Sequence, residues 1–354
     1  MNDGLVIKQE ANFYSVSIAD QVYLCSMRAN LKKAGEIIKV GDRVRLEELE
    51  AERPVIAEIY PRTTELHKPA VANVNQVLIV MSCLQPDFNF LLVDRLLLAI
   101  KYEGLDPVLC ISKADLMDAE LEEYLTEEYA AFEPLIVSVA TGAGLDALRQ
   151  RLVGKVSVLA GASGTGKSSM INQLNPEIHL QVGEVNQLGI GKHTTRHVSL
   201  HRVDHADGIG WVADSPGFNN LGIPPIDPQE LCGYYPEFEP FLGGQCFFGD
   251  CLHRFENGCA VKDSVDTESE RFYNYLRLLT EAEEGFRERT DAGKTEGLTK
   301  RAVGKNQRDQ VLKLGTVGRA RSRRVHRQII EQVGNWSDID EESLEELAPD
   351  EWRI

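Results

Sequence analysis

The chain has no long apolar run. Its richest apolar stretch, residues 90–100, is interrupted by Asp94 and Arg95, whereas a helix that crosses a bilayer needs about twenty consecutive apolar residues. The first ten residues carry both acidic and basic side chains and lack the apolar core of a secretory signal. We therefore expect no membrane partner, a cytoplasmic location and reduced cysteines.

Basic residues are also scarce. The 354 residues include 38 Lys and Arg against 55 Asp and Glu, which gives a net charge of −17 and excludes a protein that coats nucleic acid over its whole surface. Aromatic residues make up only 7% and apolar residues 43%, which is typical of a soluble globular protein and not of a collagen-like or wholly disordered chain. At about 150 residues per domain, the length predicts two or three domains.

The N-terminal part has the periodicity of short strands. Residues 5–66 alternate apolar and polar side chains in short runs, which predicts a small, five-stranded β-barrel. Barrels of this kind often bind oligonucleotides, but the segment holds nine basic and ten acidic residues. Its composition therefore leaves that function open.

The pattern changes from residue 75 onward. Continuous apolar strands alternate there with helical stretches, and the strands are expected at 76–81, 107–111, 134–137 and 156–160. This alternation predicts a doubly wound, mostly parallel sheet. Ligands of such sheets bind beyond the carboxyl ends of the strands, so functional residues are expected directly after them.

A glycine-rich loop follows the last of these strands. Its residues fit the phosphate-binding loop pattern: Gly161, Ala162, Ser163, Gly164, Thr165, Gly166, Lys167 and Ser168, with Ser169 in the helix behind. The backbone N–H groups of such a loop point at a phosphate, its lysine reaches the β- and γ-phosphates, and its serine hydroxyl ligates Mg²⁺. The loop therefore predicts nucleoside triphosphate binding, with Ser168 as a magnesium ligand.

Two later segments are typical of nucleotide-sensing elements. Asp214 follows an apolar run and precedes Ser215, Pro216 and Gly217, so its carboxylate is a candidate contact to Mg²⁺. Residues 191–196 have the sequence Gly-Lys-His-Thr-Thr-Arg, in which a threonine is a candidate magnesium ligand and γ-phosphate sensor. A solvated polar loop is the alternative interpretation of this segment.

The base is predicted to be guanine. Ser112, Lys113 and Asp115 follow the strand at 107–111 and resemble the Asn-Lys-x-Asp element of GTPases, in which the aspartate accepts hydrogen bonds from the N1 and N2 groups of guanine. Adenine has no such donors. Ser112 replaces the usual asparagine and loses an amide contact, which concerns the affinity for the nucleotide but not the choice of base.

The order of these elements differs from that of an ordinary GTPase, in which the phosphate loop comes first. Here the guanine-reading residues precede that loop, together with Ser138 and Val139, which resemble the companion element that supports the base from the other side. The chain is therefore predicted to be a circularly permuted G domain. The permutation leads the segment near Asp214 directly into the next part of the chain, which we interpret as a path from the γ-phosphate state to that part.

Four potential metal ligands lie within fourteen residues. Cys246, Cys251, His253 and Cys259 supply three thiolates and one imidazole, which is the donor set of a closed, structural zinc site. Chance clustering of reduced cysteines is the alternative. In a cytosolic protein this spacing predicts one structural zinc ion.

The charge changes sign twice near the C-terminus. Residues 294–327 contain eleven Lys and Arg and two acidic residues, and residues 328–354 contain nine acidic residues and one Arg. The basic stretch is either a set of phosphate contacts or a solvated helix that the acidic stretch neutralises. The acidic stretch is expected to be flexible.

Together, the permuted GTPase elements, the motifs Gly-Lys-His-Thr-Thr-Arg and Asp-Ser-Pro-Gly-Phe, and the cysteine and histidine spacing behind a β-barrel resemble the ribosome small-subunit-dependent GTPase A family, RsgA or YjeQ. The resemblance covers about residues 5–279. It implies an OB-fold barrel at 1–67, a permuted P-loop G domain at 68–222 and a small helical zinc-binding domain at 223–287. A basic segment and an acidic tail, 288–354, follow.

The resemblance also implies an activity and partners. It predicts a GTP hydrolase, stimulated by the small ribosomal subunit, that acts late in that subunit's maturation as a monomer, with GTP or GDP, Mg²⁺ and Zn²⁺ bound. The barrel and the zinc domain would contact the rRNA. In the family's switch, His193 would assist hydrolysis and Thr195 would ligate Mg²⁺ and the γ-phosphate. Phe218 stands where Ras-like enzymes have the glutamine that orients water, so slow intrinsic turnover is expected.

Two other functions stay open on the residues alone. A metabolic NTPase or kinase would also use a phosphate loop, but no motif for an acceptor substrate appears and Asp115 favours guanine. An RNA-binding scaffold with a vestigial nucleotide site would be favoured if Ser112 abolished GTP binding.

Overall fold

A computed structural model describes residues 2–67, 69–176, 198–213 and 222–296, and all their side chains except those of His67 and residues 291–296. Within these ranges, a β-barrel, a central sheet with its helices, and a C-terminal unit (residues 222–296) follow one another. No helix in these ranges is both long and apolar enough to span a membrane. The domain boundaries that the sequence predicts stay predictions.

Five short strands close into the N-terminal barrel. They are β1 (Asp3–Glu10), β2 (Phe13–Ile18), β3 (Gln21–Met27), β4 (Arg43–Glu47) and β5 (Val55–Ile59), with helix α1 (Ala29–Ala34) between β3 and β4. Their order is β1–β2–β3–β5–β4, and β3 and β5 pair in parallel. Alternate side chains point inward, among them Val16, Val44 and Ile56, so the five-stranded barrel predicted from the alternating pattern is confirmed. Its OB-like fold is the one that the family resemblance implies.

A short hairpin joins the barrel to the central sheet. Its strands are β6 (Glu65–His67) and β7 (Ala70–Ala72). Arg62 donates to both carboxylate oxygens of the fully buried Asp42, at 2.7 and 2.9 Å. A Cβ on Gly41 would lie 2.0 Å from the carbonyl oxygen of Ala72, so the barrel and the hairpin meet backbone to backbone. This ion pair and this close approach hold the hairpin against the barrel.

The central sheet has six strands among the described residues. They are β8 (Gln76–Ser82), β9 (Asp106–Ser112), β10 (Leu135–Ile136), β11 (Val156–Ala160), β12 (Leu200–His205) and β13 (Gly208–Ala213). Their order is β10–β9–β8–β11–β13–β12, and every neighbouring pair is parallel except β12 with β13. β8 and β11 are buried along their whole length, which explains their continuous apolar sequences. The mostly parallel sheet is confirmed.

In the described part of the chain, four helices cover the two faces of this sheet. They are α2 (Phe90–Tyr102), α3 (Ala119–Glu128), α4 (Leu145–Leu152) and α5 (Lys167–Leu174). Asn89 caps α2 by accepting the N–H of Leu92 at 2.9 Å. Leu96 of α2 packs into the core on one face, and Leu148 and Met170 of α4 and α5 pack into the core on the other. The sheet is therefore doubly wound, as predicted.

The C-terminal unit consists of loops, two short 3₁₀ turns and one long helix. The turns are Leu231–Tyr234 and Glu239–Phe241, and the helix is α6 (Glu270–Glu296). Ser269 caps α6, because its Oγ accepts the N–H of Phe272 at 3.2 Å. Phe238 and Tyr275 form the core of the unit together with Leu98 of α2. The unit is thus packed directly on a helix of the central sheet.

A buried ionic cluster joins α6 to α2. Arg271 of α6 is 5% exposed and pairs with Asp94 of α2, which is 2% exposed. Arg271 also bonds Glu237 at 2.7 Å, and Asn274 donates to the other oxygen of Asp94 at 2.7 Å. The guanidinium lies 4.8 Å from the centre of the Tyr235 ring. Each charge in this cluster depends on its partner, because an unpaired buried charge is costly.

We expect Arg271→Met to lower the free energy of unfolding by about 3–5 kcal/mol, since it leaves the Asp94 carboxylate buried without its cation. Arg277→Met is the matched control, because Arg277 is exposed on the same helix, and it should change the free energy by less than about 0.5 kcal/mol. Urea denaturation followed by circular dichroism measures both. Equal shifts for the two variants would contradict a stabilising role of the cluster.

Candidate functional site

The glycine-rich loop connects β11 to α5 at the carboxyl end of the sheet. Gly161 has a φ of +135°, and a Cβ there would lie 2.1 Å from the carbonyl oxygen of Val80 in β8, so this position requires glycine. α5 begins at Lys167, which places the free N–H groups of its first turn beside the loop. A glycine-lined loop at a helix N-terminus is the arrangement that binds phosphate groups.

Lys167 extends over this loop. Its Nζ donates to the carbonyl oxygens of Gly161 at 2.8 Å and Ala162 at 2.6 Å. Thr165 is fully buried, and its Oγ1 donates to the carbonyl of Ala162 at 3.0 Å. The other predicted residues of the loop are exposed or half-buried: Ala162, Ser163, Gly164, Gly166, Ser168 and Ser169. A phosphate can therefore reach the loop from solvent.

The loops that follow β9 and β10 carry the residues predicted to bind the base. Lys113 has a left-handed backbone with φ +58°, and Asp115 lies in the turn that follows. Ser138 is fully buried; its hydroxyl donates to Asp115 Oδ1 at 2.5 Å and accepts the N–H of Thr141 at 3.2 Å. Val139 packs against the core next to it. One carboxylate oxygen of Asp115 is thereby held in a fixed position.

Ser112 connects the two halves of the site. Its Oγ donates to the carbonyl oxygen of Thr165 at 2.6 Å, and the residue is 2% exposed. Ser112 ends β9 and Thr165 lies in the loop after β11, with β8 between these strands. The serine that replaces the usual asparagine therefore makes a contact of its own to the phosphate loop.

No motif marks two further contacts at this edge of the sheet. The thiol of Cys83 donates to the carbonyl oxygen of Lys113 at 3.1 Å, and Lys113 Nζ donates to the carbonyl oxygen of Gln85. Both Cys83 and Gln85 follow β8, whose carboxyl end lies between those of β9 and β11. Their position after a central strand is the signal in the sequence that could have identified them.

The residues predicted to sense the γ-phosphate lie outside the described part of the chain: His193, Thr195, Asp214 and Gly217. β13 ends at Ala213, directly before Asp214, and runs parallel to β11, which leads into the phosphate loop. Residues 297–354, with most of the basic stretch and the acidic stretch, also lie outside the described residues. The roles predicted for these residues stay predictions.

Four ligand atoms converge in the C-terminal unit. The Sγ atoms of Cys246, Cys251 and Cys259 and Nδ1 of His253 all lie within 4.8 Å of one another. Nδ1 is 3.7, 3.5 and 3.3 Å from the three sulfurs. A tetrahedral zinc ion, with bonds of about 2.3 Å to sulfur and about 2.0 Å to nitrogen, would separate such atoms by about 3.5 Å. This Cys₃His cluster therefore fits one zinc ion.

Glu256 holds the loop that carries these ligands. Its carboxylate accepts the N–H groups of Leu252, Arg254 and Phe255 at 2.9, 2.8 and 3.0 Å. Burial raises the pKa of the Glu256 carboxyl, but these hydrogen bonds outweigh it and hold the pKa below its usual value. Burial lowers the pKa of His253, which favours the neutral imidazole that a metal ion requires.

Comparison with known proteins places these parts in one family. The protein-family model described as RsgA GTPase matches residues 59–224, and the family model described as RsgA N-terminal domain matches residues 3–56. A protein of Moorella thermoacetica named small ribosomal subunit biogenesis GTPase RsgA is 39% identical over 285 residues, which cover 79% of this chain and 97% of that protein. The chain belongs to the RsgA GTPase family. A protein of the same name from Microcystis aeruginosa is 42% identical over 289 residues, 79% of this chain and 78% of its own length.

Solved structures support the same relationship. YjeQ from Thermotoga maritima matches with a TM-score of 0.66 and 34% identity over 79% of this chain and 98% of that chain. YloQ, described as a circularly permuted GTPase, matches with a TM-score of 0.64 and 30% identity over 80% of this chain and 96% of that chain. The resemblance to RsgA and the circular permutation predicted from the motifs are confirmed. As an RsgA GTPase, the chain hydrolyses GTP.

We expect Ser112→Ala to weaken GTP binding by about tenfold, because it leaves the buried Thr165 carbonyl without a donor, at a cost of about 1–3 kcal/mol. Ser157→Ala is the matched control: Ser157 is also a buried serine of the sheet, bonded by Gln76 at 2.9 Å near the start of β8 and β11. Its substitution should leave GTP affinity unchanged. Titration with a fluorescent GTP analogue measures both; equal affinities for the two variants would show that the Ser112 hydroxyl does not position the loops.

Proposed function

We propose that the chain assists a late step in maturation of the small ribosomal subunit. It binds the subunit and its rRNA as a monomer in the GTP form, hydrolyses GTP there, and leaves in the GDP form, in the cytoplasm. The main support is the Ser112–Thr165 hydrogen bond, which joins guanine-reading and phosphate-binding loops in a chain whose relatives are named small ribosomal subunit biogenesis GTPase.

Each half of the site binds a different part of the nucleotide. Asp115, held by Ser138, accepts the N1 and N2 donors of guanine, and Lys113 and Val139 flank the base. The backbone N–H groups of 161–169 bind the phosphates. A phosphate oxygen then replaces the loop carbonyls as the partner of the lysine ammonium at the start of α5.

Three oxygen ligands are proposed for Mg²⁺: Ser168, Thr195 and Asp214. Hydroxyl and carboxylate oxygens are the donors that this hard cation prefers, and Ser168 stands half-buried in the first turn of α5, as the phosphate-loop geometry requires. When bound, the ion neutralises charge on the β- and γ-phosphates. Gly217, which follows Asp214 in the same motif, is proposed to contact the nucleotide.

His193 is proposed to orient the attacking water. Phe218 supplies no polar group at the position of the Ras-type glutamine, so this role falls to the imidazole or to a group of the ribosome. Intrinsic turnover is then slow. Binding to the small subunit is proposed to accelerate hydrolysis.

The barrel and the zinc-binding unit are the proposed rRNA contacts, and the basic stretch at 294–327 is proposed to add contacts to phosphates. Lys32 and Lys33 in the last turn of α1, and Arg43 of β4, are exposed on the barrel. Phosphate contacts by such side chains weaken steeply with salt. The zinc ion is proposed to be structural, because all four donors of the Cys₃His cluster come from the protein.

We expect purified small ribosomal subunits, but not large subunits, to accelerate steady-state GTP hydrolysis, and His193→Ala to reduce the stimulated rate by about a hundredfold. Lys167→Ala, which removes the ammonium from the phosphate loop, is the control for loss of nucleotide binding. Phosphate release measures the rate, and a fluorescent GTP analogue measures binding.

Different failures have different meanings. If GTP binds but neither subunit changes the rate of GTP hydrolysis, the chain is better described as an RNA-binding scaffold with a vestigial nucleotide site. If large subunits stimulate equally, the partner is wrong. If His193→Ala keeps the full stimulated rate, the ribosome positions the water without it.

We expect one zinc ion per chain, and we expect Cys259→Ser to lose zinc to a chelator at about a tenth or less of the concentration that the unchanged protein withstands, since one of four ligands is removed. Cys232→Ser is the matched control, because Cys232 lies in the same unit but outside the cluster. Metal analysis by mass spectrometry measures both. Zinc loss of equal extent in the two variants would contradict the ligand set.

A further inference from the structure

An open cleft lies beside the Cys₃His cluster. Its volume is about 690 Å³, and its walls come from the first 3₁₀ turn of the C-terminal unit, from the second, and from the loop that carries the metal ligands. A water molecule occupies about 30 Å³ in the liquid, so a single ion at the cluster leaves nearly all of this volume free. The zinc site does not account for the cleft.

The lining of the cleft is aromatic and acidic. Tyr234, Phe241 and Phe248 contribute rings, Glu230 and Asp250 contribute exposed carboxylates, and no Lys or Arg is among the lining residues. Rings together with carboxylates form a favourable site for a guanidinium or an ammonium, through cation–π attraction and charge-assisted hydrogen bonds. The same lining repels a phosphate.

The composition of the C-terminal unit agrees with the lining of the cleft. Residues 222–290 contain fourteen Asp and Glu but only six Lys and Arg. Ion pairs use residues of both signs: Arg254 pairs with Glu283, Arg271 pairs with Glu237 and with Asp94 of α2, and Arg95 of α2 pairs with Glu281. The unit keeps a net negative charge, which favours a cationic partner at the cleft.

An exposed aromatic side chain extends the cleft outward. Phe247 is 81% exposed, and its ring lies 5.0 Å from that of Phe248 in an edge-on arrangement. Phe248 lines the cleft and is itself 45% exposed. Aromatic residues, Phe among them, are enriched at protein–protein interfaces relative to the rest of the surface.

We propose that this cleft binds an arginine or lysine side chain in a basic segment of a protein of the small ribosomal subunit. The proposal rests on the proposed function for the identity of the particle, but the cleft's preference for a cationic peptide stands on its lining alone. In this arrangement the cleft recognises protein, in addition to the proposed contacts of the chain with rRNA.

The first test uses a labelled oligoarginine peptide and the full-length, zinc-loaded protein. Glu230→Gln and Phe248→Ala should each weaken binding of the peptide by about fivefold, as expected for loss of one ion pair or one cation–π contact. Glu268→Gln and Phe255→Ala are the matched controls, since both residues are exposed on the same unit and neither lines the cleft. The controls should bind within about twofold of the unchanged protein.

Two results of this titration would overturn the proposal. Equal losses of peptide affinity in the cleft variants and the controls would mean that the peptide binds to the negative charge of the protein in general and not to the cleft. Sensitivity of a labelled oligouridine RNA, instead of the peptide, to Glu230→Gln and Phe248→Ala would assign the cleft to nucleic acid.

The second test places a photoreactive benzoylphenylalanine at position 248 and irradiates the protein on purified small subunits. A crosslinked product that resists ribonuclease and is cut by protease supports the proposal, and a ribonuclease-sensitive product overturns it. If no crosslink forms while small subunits still stimulate hydrolysis, the proposal for the cleft is wrong but the proposed function stands. Absence of both stimulation and subunit binding rejects the proposed function, and the peptide titration then decides on the cleft alone.

Discussion

The Ser112 hydroxyl holds together two loops that lie far apart in the chain. It donates to the carbonyl oxygen of Thr165 at 2.6 Å across the end of β8, in a buried place where water does not compete for the bond. Asp115 follows Ser112 and Lys167 follows Thr165 within a few residues, so this contact sets the spacing between a base-reading carboxylate and a phosphate-binding ammonium. A guanine nucleotide that spans both loops depends on that spacing.

The permutation determines which parts of the molecule are joined through the backbone, and side chains add a second connection. In the sequence, residues 214–221 connect β13 to the C-terminal unit, so the order of the motifs predicts a covalent path between them. The ion pair between Arg271 and Asp94 also binds the same unit to α2. α2 follows the loop in which the carbonyl oxygen of Gln85 accepts a hydrogen bond from the ammonium of Lys113. The unit is therefore connected to the base-reading side of the sheet as well as to the phosphate side.

What the sequence could predict follows from how locally each feature is encoded. The phosphate loop and the Cys₃His cluster were recognisable because their chemistry demands particular residue types at short, fixed spacings, and buried parallel strands are continuous apolar runs. Contacts between residues far apart in the sequence were not recognisable: Ser112 and Thr165 are 53 residues apart, and Asp94 and Arg271 are 177 apart. No local pattern encodes such contacts, since they form only once the sheet has assembled. The roles assigned to 191–196 and 214–217 rest on motifs and stay predictions.

Net charge by itself gives a misleading picture of the partner. A value of −17 would argue against any contact with RNA if the charge were spread evenly. Instead, exposed lysines stand on α1 of the barrel, residues 294–327 are strongly basic, and the C-terminal unit is strongly acidic. Charge that is segregated along a chain in this way lets one segment match a negative partner and another segment match a positive one. For the proposed ribosomal partner, such segregation would favour one orientation over its reverse, because the reversed orientation brings like charges together.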